Sequence, residues 1–322
     1  MAADKPLASL SCDLDDKWSY MKTHGDRAWD SFPSYLDVVV PRVLECFNRR
    51  NLRGTFFIVG QDAARETNHP TLRAIADAGH EIGNHSFRHD PWLHLYSEQE
   101  IAAEMTNAED HIERATGQKP VGFRGPGFSL SHSILRELVQ RGYLYDATTF
   151  PTFLVPLVRL YYFATASFTA EQRRQRRSLG GKLREGFRSI KPYRWRMNGG
   201  TLLEIPVTTL PGLKFPMHVS YLLGLSLLSE RLALRYFEIA LKCCRYTGTQ
   251  PSLVLHPTDF LGSEDQQGLS FIPGMALPRA QKLQFVNELL SRLDGAFSVL
   301  TLRQHAEHVA QSRTLPVREP SF

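Results

Sequence analysis

The sequence predicts an α/β fold built on a mostly parallel sheet, open or rolled into a barrel, and three observations carry that expectation. Through residues 7–149, apolar strand-like runs alternate with stretches of helical period. One of those runs, "GTFFIVG" (54–60), is β-branched and aromatic between two glycines, the composition of a strand buried on both faces. The alternation then resumes at "TLLEIPVTT" (201–209), "PSLVLHPTD" (251–259) and "AFSVLTLRQHAEH" (296–308).

Taken in order, "LASLSCDL" reads as the first strand, and "YLDVVVPRVLECFNRRN" as a helix whose proline marks its start or a kink. After "GTFFIVG" comes the short helix "HPTLRAIADAG", stopped by Gly79, and then the strand "HEIGNHS". "SEQEIAAEMTNAEDHIERATG" is a longer amphipathic helix; Ser97 caps it, and Glu100 completes a capping box. "VGFRGPG" is another strand end, followed by the helix "SHSILRELVQRG" and the strand "YLYDATT". Between 150 and 200 the composition changes, and this stretch reads as an insertion in one domain of residues 1–322.

The chain has 322 residues, 42% of them apolar and 22% charged, the balance of an ordinary globular protein with no repeat or low-complexity tract. Its cysteines, Cys12, Cys46, Cys243 and Cys244, show no ligand-like spacing and read as reduced thiols. The start, "MAADKPLASLSCDLDD", has neither the basic opening nor the apolar run of a secretory signal. No stretch reaches the roughly 18 uninterrupted apolar residues of a spanning helix. These features predict a protein kept on the cytoplasmic side.

In a βα sheet, functional groups collect where strands end, at the carboxyl edge. Four polar clusters fall at such ends: Asp13 to Asp16, "NHSFRHD" (84–90), "FRGPG" (123–127) and "LHPTD" (255–259). His85 and His89 are four apart, so on a helical turn or tight loop both rings can face one point. Two imidazoles and a carboxylate form a common site for a divalent metal, with positions left open for water and substrate. His80 and His94 lie close in sequence, so the spacing alone is only moderately specific. The acidic cluster supplies the third ligand, because in an extended segment Asp13 and Asp15 project to one side while Leu14 points away. Asp15 is assigned to the metal and Asp13 to the general base; Asp16 is the alternative ligand if the backbone turns after Asp15. A dication would also remove the repulsion within this cluster.

This set of residues resembles the polysaccharide deacetylase family, the NodB-homology or carbohydrate esterase 4 domain. The family's first motif appears as "SCDLDD", its second as "HSFRH", its third as "RGPGF" and its last as "LVLH", in family order across residues 10–257. Lys17 stands after "DLDD" where the family commonly has glycine, and Phe128 stands where many members have tryptophan or tyrosine. The resemblance implies a distorted (β/α)-barrel of the NodB-homology type and metal-dependent removal of an acyl group from a sugar. It implies Asp13 as general base, Asp15, His85 and His89 as ligands of one divalent ion (Zn2+ first, Co2+ or similar next), Arg124 orienting Asp13, and His256 as general acid. Asp146 matches a family position that often supports the arginine.

The insertion suggests the substrate. It opens with "FPTFLVPLVRLYYFATASF", and from Arg173 to Arg196 it carries ten Lys or Arg against one acid, Glu185. An apolar, aromatic stretch joined to a basic one fits an anionic membrane surface, to which Arg173, Arg174, Arg176 and Arg177 and the apolar segment 216–228 would contribute. Nothing else in the chain resembles a nucleic-acid module, so no nucleic-acid partner is expected. The expected substrate is therefore an N-acetylated or N-formylated amino-sugar glycan, polyprenyl-linked, met by a peripheral protein at the inner membrane face. The alternatives are a soluble poly- or oligosaccharide, or a catalytically silent sugar-binding protein on the same fold.

Overall fold

A computed structural model of the chain describes residues 5–154, 183–265, 268–312 and 314–322. The insertion's apolar and basic centre, with Arg173, Arg174, Arg176 and Arg177, lies outside the described residues.

The first strand, β1 (Leu7–Leu14), is the axis of the molecule: apart from its first residue it is wholly buried. Its alternating Leu10, Cys12 and Leu14 face a core with Val39, Val43 and Phe47 of the helix α2 (Leu36–Asn48). Between them, α1 (Lys17–His24) begins directly behind the acidic cluster because Asp16 caps it, accepting from the Lys17 amide at 2.7 Å. Pro41 lies inside α2, not at its start.

The strands β2 (Thr55–Ile58), β3 (Glu81–Asn84), β4 (Gly122–Phe123) and β5 (Tyr145–Asp146) follow, each parallel to its neighbour. The helices between them are the short α3 (Gly60–Ala63), α4 (His69–Asp77), α5 (Glu98–Thr116) and α6 (His132–Gln140). The capping box of Ser97 and Glu100 forms at the start of α5, where the sequence puts it.

The second half is less regular. β6 (Tyr193–Met197) and β7 (Gly200–Glu204) form an antiparallel hairpin, and β7 joins β5 in parallel. Two helices follow, α7 (Val219–Ser226) and α8 (Glu230–Thr247), before β8 (Ser252–Leu255) returns beside β1. The chain closes with α9 (Arg279–Ala296), β9 (Ser298–Leu300) on β1, α10 (Leu302–Ala310), and β10 (Val317–Arg318) on β6. The apolar segment 216–228 divides: Met217, Val219, Leu222 and Leu223 join the core, while Leu227 and Leu228 face outward.

The strand order β10-β6-β7-β5-β4-β3-β2-β1-β8 is that of an α/β barrel wall. Among the described residues its ladder does not close on itself. At the seam, the Thr208 amide after β7 donates to the Ser252 carbonyl at 3.1 Å.

Candidate metal centre and acid–base pair

Strand register sets the site. Cys12 pairs with Leu255 and Asn84 with Phe123, so the next residues along, Asp13 opposite His256 and His85 opposite Arg124, meet at the carboxyl edge. All four are at least four-fifths buried.

Asp15, His85 and His89 offer one oxygen and two ring nitrogens that lie within 4.8 Å of one another. Asp15 Oδ1 is 3.0 Å from His89 Nε2 and 3.4 Å from His85 Nε2, yet it is buried without a hydrogen-bond partner. Burial pushes the Asp15 carboxyl up, but the charge of His89 and the contacts of both imidazoles outweigh it and hold the group well below the usual carboxylate range. His85 Nδ1 sits 2.6 Å from the Arg124 carbonyl, which keeps its proton on that side and leaves Nε2 as the free lone pair. An orphaned buried carboxylate oxygen beside two imidazole nitrogens, one fixed in its tautomer from behind, fits a divalent transition ion.

Asp15 stands with the histidines because the backbone turns at Leu14, just before it. Its amide donates to the Asp13 carbonyl at 2.9 Å, and the Tyr35 hydroxyl holds its own carbonyl at 2.6 Å. Asp16 is engaged elsewhere: besides capping α1 it accepts the Tyr35 amide at 3.1 Å. Behind it, burial and the charge of Asp16 push Asp62 well above the usual carboxylate range. The sequence alternative that gave Asp16 to the metal is thus replaced by a structural role.

The histidine loop is held in an unusual shape. Ser86 and His89 both adopt positive φ, 61° and 52°, a region that costs a non-glycine residue about 1 kcal/mol or more. The surroundings enforce it. Glu104 of α5 is buried and accepts the amides of Phe87 at 3.0 Å and Arg88 at 2.9 Å, and Asn84 accepts that of Ser86 at 2.8 Å.

Arg124 has no exposed surface. Its Nη1 reaches Asp13 Oδ1 at 2.6 Å and Ser11 at 2.8 Å, its Nε donates to the Ala147 carbonyl at 3.0 Å, and its guanidinium lies 4.3 Å above the Phe57 ring. Asp146 is not among these partners. Its carboxyl bonds Thr148 at 2.5 Å, and burial beside Glu204 pushes it well above the usual carboxylate range. The backbone next to Asp146, not its side chain, supports the arginine.

His256 completes the set. Its Nε2 lies 3.9 Å from Asp13 Oδ2, the oxygen that Arg124 leaves free. Its Nδ1 meets the Ser220 hydroxyl at 3.1 Å, and Ser220 donates to Asp259 at 2.9 Å. Since a carboxylate only accepts, the one hydroxyl proton goes to Asp259 and the imidazole must carry its own proton on Nδ1. Nε2 is therefore the nitrogen turned toward Asp13. Beside it stands a wall of Phe150, His218 and Tyr221; burial, helped by the charges of His256 and Arg124, pushes His218 well below the usual imidazole range.

The sequence reading missed Glu104, Ser220 and Asp259. Asp259 had a signal, its place at a strand end three residues after His256. Glu104 sits among five other acids of α5 and has none.

Known proteins resemble this chain in part of its sequence and in its fold. The polysaccharide deacetylase family model matches residues 26–145. A peptidoglycan deacetylase of Helicobacter pylori is 31% identical over 110 residues, 34% of this chain and 36% of the relative. The peptidoglycan-N-acetylmuramic acid deacetylase PdaA of Bacillus subtilis is 30% identical over 110 residues, 34% of this chain and 41% of the relative. The chain thus aligns with about two fifths of the length of these relatives. A crystal structure from Mycobacterium smegmatis, assigned to the polysaccharide deacetylases, superposes over 100% of this chain and 97% of its own with a TM-score of 0.65 at 22% identity. The fold is thus matched along its whole length, and across the histidine loop and "FRGPG" the chain is similar to the polysaccharide deacetylase family.

Proposed function

We propose that the protein hydrolyses the N-acyl group of an amino sugar within a glycan, using one divalent ion, zinc first and cobalt or a neighbour next. The observation that carries this reading is the convergence of two sets across one small space. Asp15, His85 and His89 form a ligand set, and Asp13, Arg124 and His256 form an acid–base set.

A divalent ion held by the ligand set supplies Lewis acidity, which makes a water easier to deprotonate and an acyl carbonyl easier to attack. The protein's own groups do the rest. Asp13 takes the proton from the attacking water through Oδ2, while Arg124, which also donates to Ser11, fixes Oδ1. As the carbon–nitrogen bond breaks, His256 gives its Nε2 proton to the departing amine, and the acyl group leaves as a carboxylate. Ser220 and Asp259 keep the ring oriented through that transfer.

The finer reading is a lipid-linked glycan precursor, N-acetylated or N-formylated, met at the cytoplasmic face of a membrane by one domain of residues 1–322. It is supported by the basic, apolar insertion and by the four cysteines, all free. No helix among the described residues is long and apolar enough to cross a bilayer. A second reading, a soluble polysaccharide or peptidoglycan fragment, is favoured by the names of the relatives, which are peptidoglycan deacetylases.

The deciding experiment is mass spectrometry of polyprenyl-linked glycans and of soluble N-acetyl oligosaccharides after incubation with the protein, with His85→Ala as control. Loss of an acyl mass from the lipid-linked pool by wild type alone supports the finer reading, and the mass lost distinguishes acetyl from formyl. Turnover of the soluble pool only moves the assignment to the second reading. No turnover of either, with one metal ion still bound per chain, leaves a silent sugar-binding protein.

A further inference from the structure

We propose that the outward face of α8, with the turn that joins it to α7, is a docking surface for an anionic lipid bilayer. The proposal rests on the lipid-linked reading for its purpose but not for its evidence, and it uses residues outside both the catalytic set and the insertion's undescribed centre.

The buried side of α8 is ordinary: Ala233, Phe237, Ala240, Leu241 and Cys244 enter the core. The opposite side is not. Leu232, Ile239 and Tyr246 are 53%, 55% and 94% exposed, and Leu228 in the preceding turn is 83% exposed. Residues seven apart on a helix drift by only about 20° per step, so these side chains form one stripe roughly 20 Å long. A soluble helix normally gives such positions to polar residues.

Charge defines the partner. Arg231, Arg235, Lys242 and Arg245 are exposed along the flank of this stripe, and none of them has an ion-pair partner among the described residues. The two acids of α8, Glu230 and Glu238, are part-buried, and Glu238 is neutralised by Arg292. Lys191, from the described end of the basic run, donates to the Thr247 carbonyl at 2.5 Å and adds a cation at the same end. Apolar side chains flanked by exposed cations match the two layers of an anionic membrane surface, acyl chains below and phosphates above. They do not match a second copy of this chain, because Arg235 and Lys242 alternate with the apolar residues at a three-and-four spacing and would face their own kind across a symmetric seam.

The placement also serves the site. Ser220, which holds His256, lies in the first turn of α7, and Leu227 and Leu228 follow its last turn. One eight-residue helix, about 12 Å long, therefore separates the acid–base pair from the proposed surface. A glycan on a lipid phosphate would reach the site without leaving the bilayer.

The test is flotation of the full-length protein with vesicles of phosphatidylcholine alone and of phosphatidylcholine containing phosphatidylglycerol. Two variants are run in parallel, Leu232→Ser/Ile239→Ser/Tyr246→Ser and Arg235→Glu/Lys242→Glu. The expected result is binding to the anionic vesicles only, released by high salt, and reduced about tenfold or more in each variant. The proposal is overturned if wild type ignores anionic vesicles, if it binds neutral ones equally, or if both variants bind as wild type does. It is also overturned if sedimentation velocity shows a dimer that the variants dissolve. Deacylation of a soluble N-acetyl oligosaccharide, unchanged in both variants, shows that they are folded. Absence of turnover of both the lipid-linked and the soluble pool in wild type would sink the enzymatic reading while leaving the vesicle result standing.

Discussion

The carboxyl edge of the sheet and the outer face of α8 handle polar groups in opposite ways. At the sheet edge the groups around the orphaned Asp15 oxygen are gripped: Asp13 by Arg124, Arg124 by a carbonyl and a hydroxyl, and the histidine loop by Glu104. On α8 four cations stand without an ion-pair partner among the described residues, beside exposed leucine, isoleucine and tyrosine. The first arrangement fixes atoms to a fraction of an ångström, as bond-making chemistry requires. The second fixes only sign and hydrophobicity, which suffices for a fluid partner. A region that must position is over-determined, and a region that must adhere is left unsatisfied.

The sharpest way to break this contrast is Asp13→Asn. It removes the base while leaving Asp15, His85 and His89 untouched, so turnover should fall by about 10³-fold or more with metal content unchanged. Metal analysis beside a deacylation assay checks this; loss of both together would mean that the two sets are not separable. Glu104→Gln should be milder. It keeps the shape but removes the charge that holds the Phe87 and Arg88 amides, and metal affinity should drop about 10- to 100-fold in a competition titration. Ser220→Ala should lower kcat roughly tenfold with little change in KM, and Ser220→Thr should recover much of it. A tautomer mixture at His256, read from ring nitrogen chemical shifts in the alanine variant, would separate positioning from simple packing.

The smallest effect lies at the opposite end of the sheet. Burial lowers His305 to about 4, and its ring is fixed between Ser9 at 2.9 Å and Gln250 at 2.8 Å. The unfolded chain binds a proton below its ordinary value near 6.5, and the folded chain does not until about 4. The contribution of this residue is therefore whole above that upper value and lost as pH falls through the window. Denaturant unfolding should show His305→Gln with a shallower stability slope there, by at most ~1.4 kcal/mol per pH unit. An unchanged slope would refute the assignment.

Much of the first half could be read from the sequence because its signals are local. The turn that the Asp15 amide closes on the Asp13 carbonyl was not legible, but the strand "LASLSCDL", the capping box at Ser97 and the paired histidines were, and together they outline the site. What was hidden depends on distant partners. Glu104 looks like any solvent-facing acid until the loop at Phe87 and Arg88 lies against it. Ser220 sits in an apolar run that reads as surface-seeking, whereas its partner His256 is 36 residues away and half of that run packs inward. The hairpin of β6 and β7 was half seen, because "YRWRM" carries charges that suggest a basic loop, and only pairing with "GTLLE" makes it a strand.

Arg124 touches the two halves of the chemistry with two different parts of itself. Its carbonyl holds His85 and its guanidinium holds Asp13, so a single residue serves as the gauge block between the candidate ligand set and Asp13. A shift of β4 would carry both along and leave the gap between them nearly constant. Such a site tolerates drift of the whole sheet better than it tolerates a change at this one position. Arg124→Lys would keep the carbonyl end of the gauge and shorten the other.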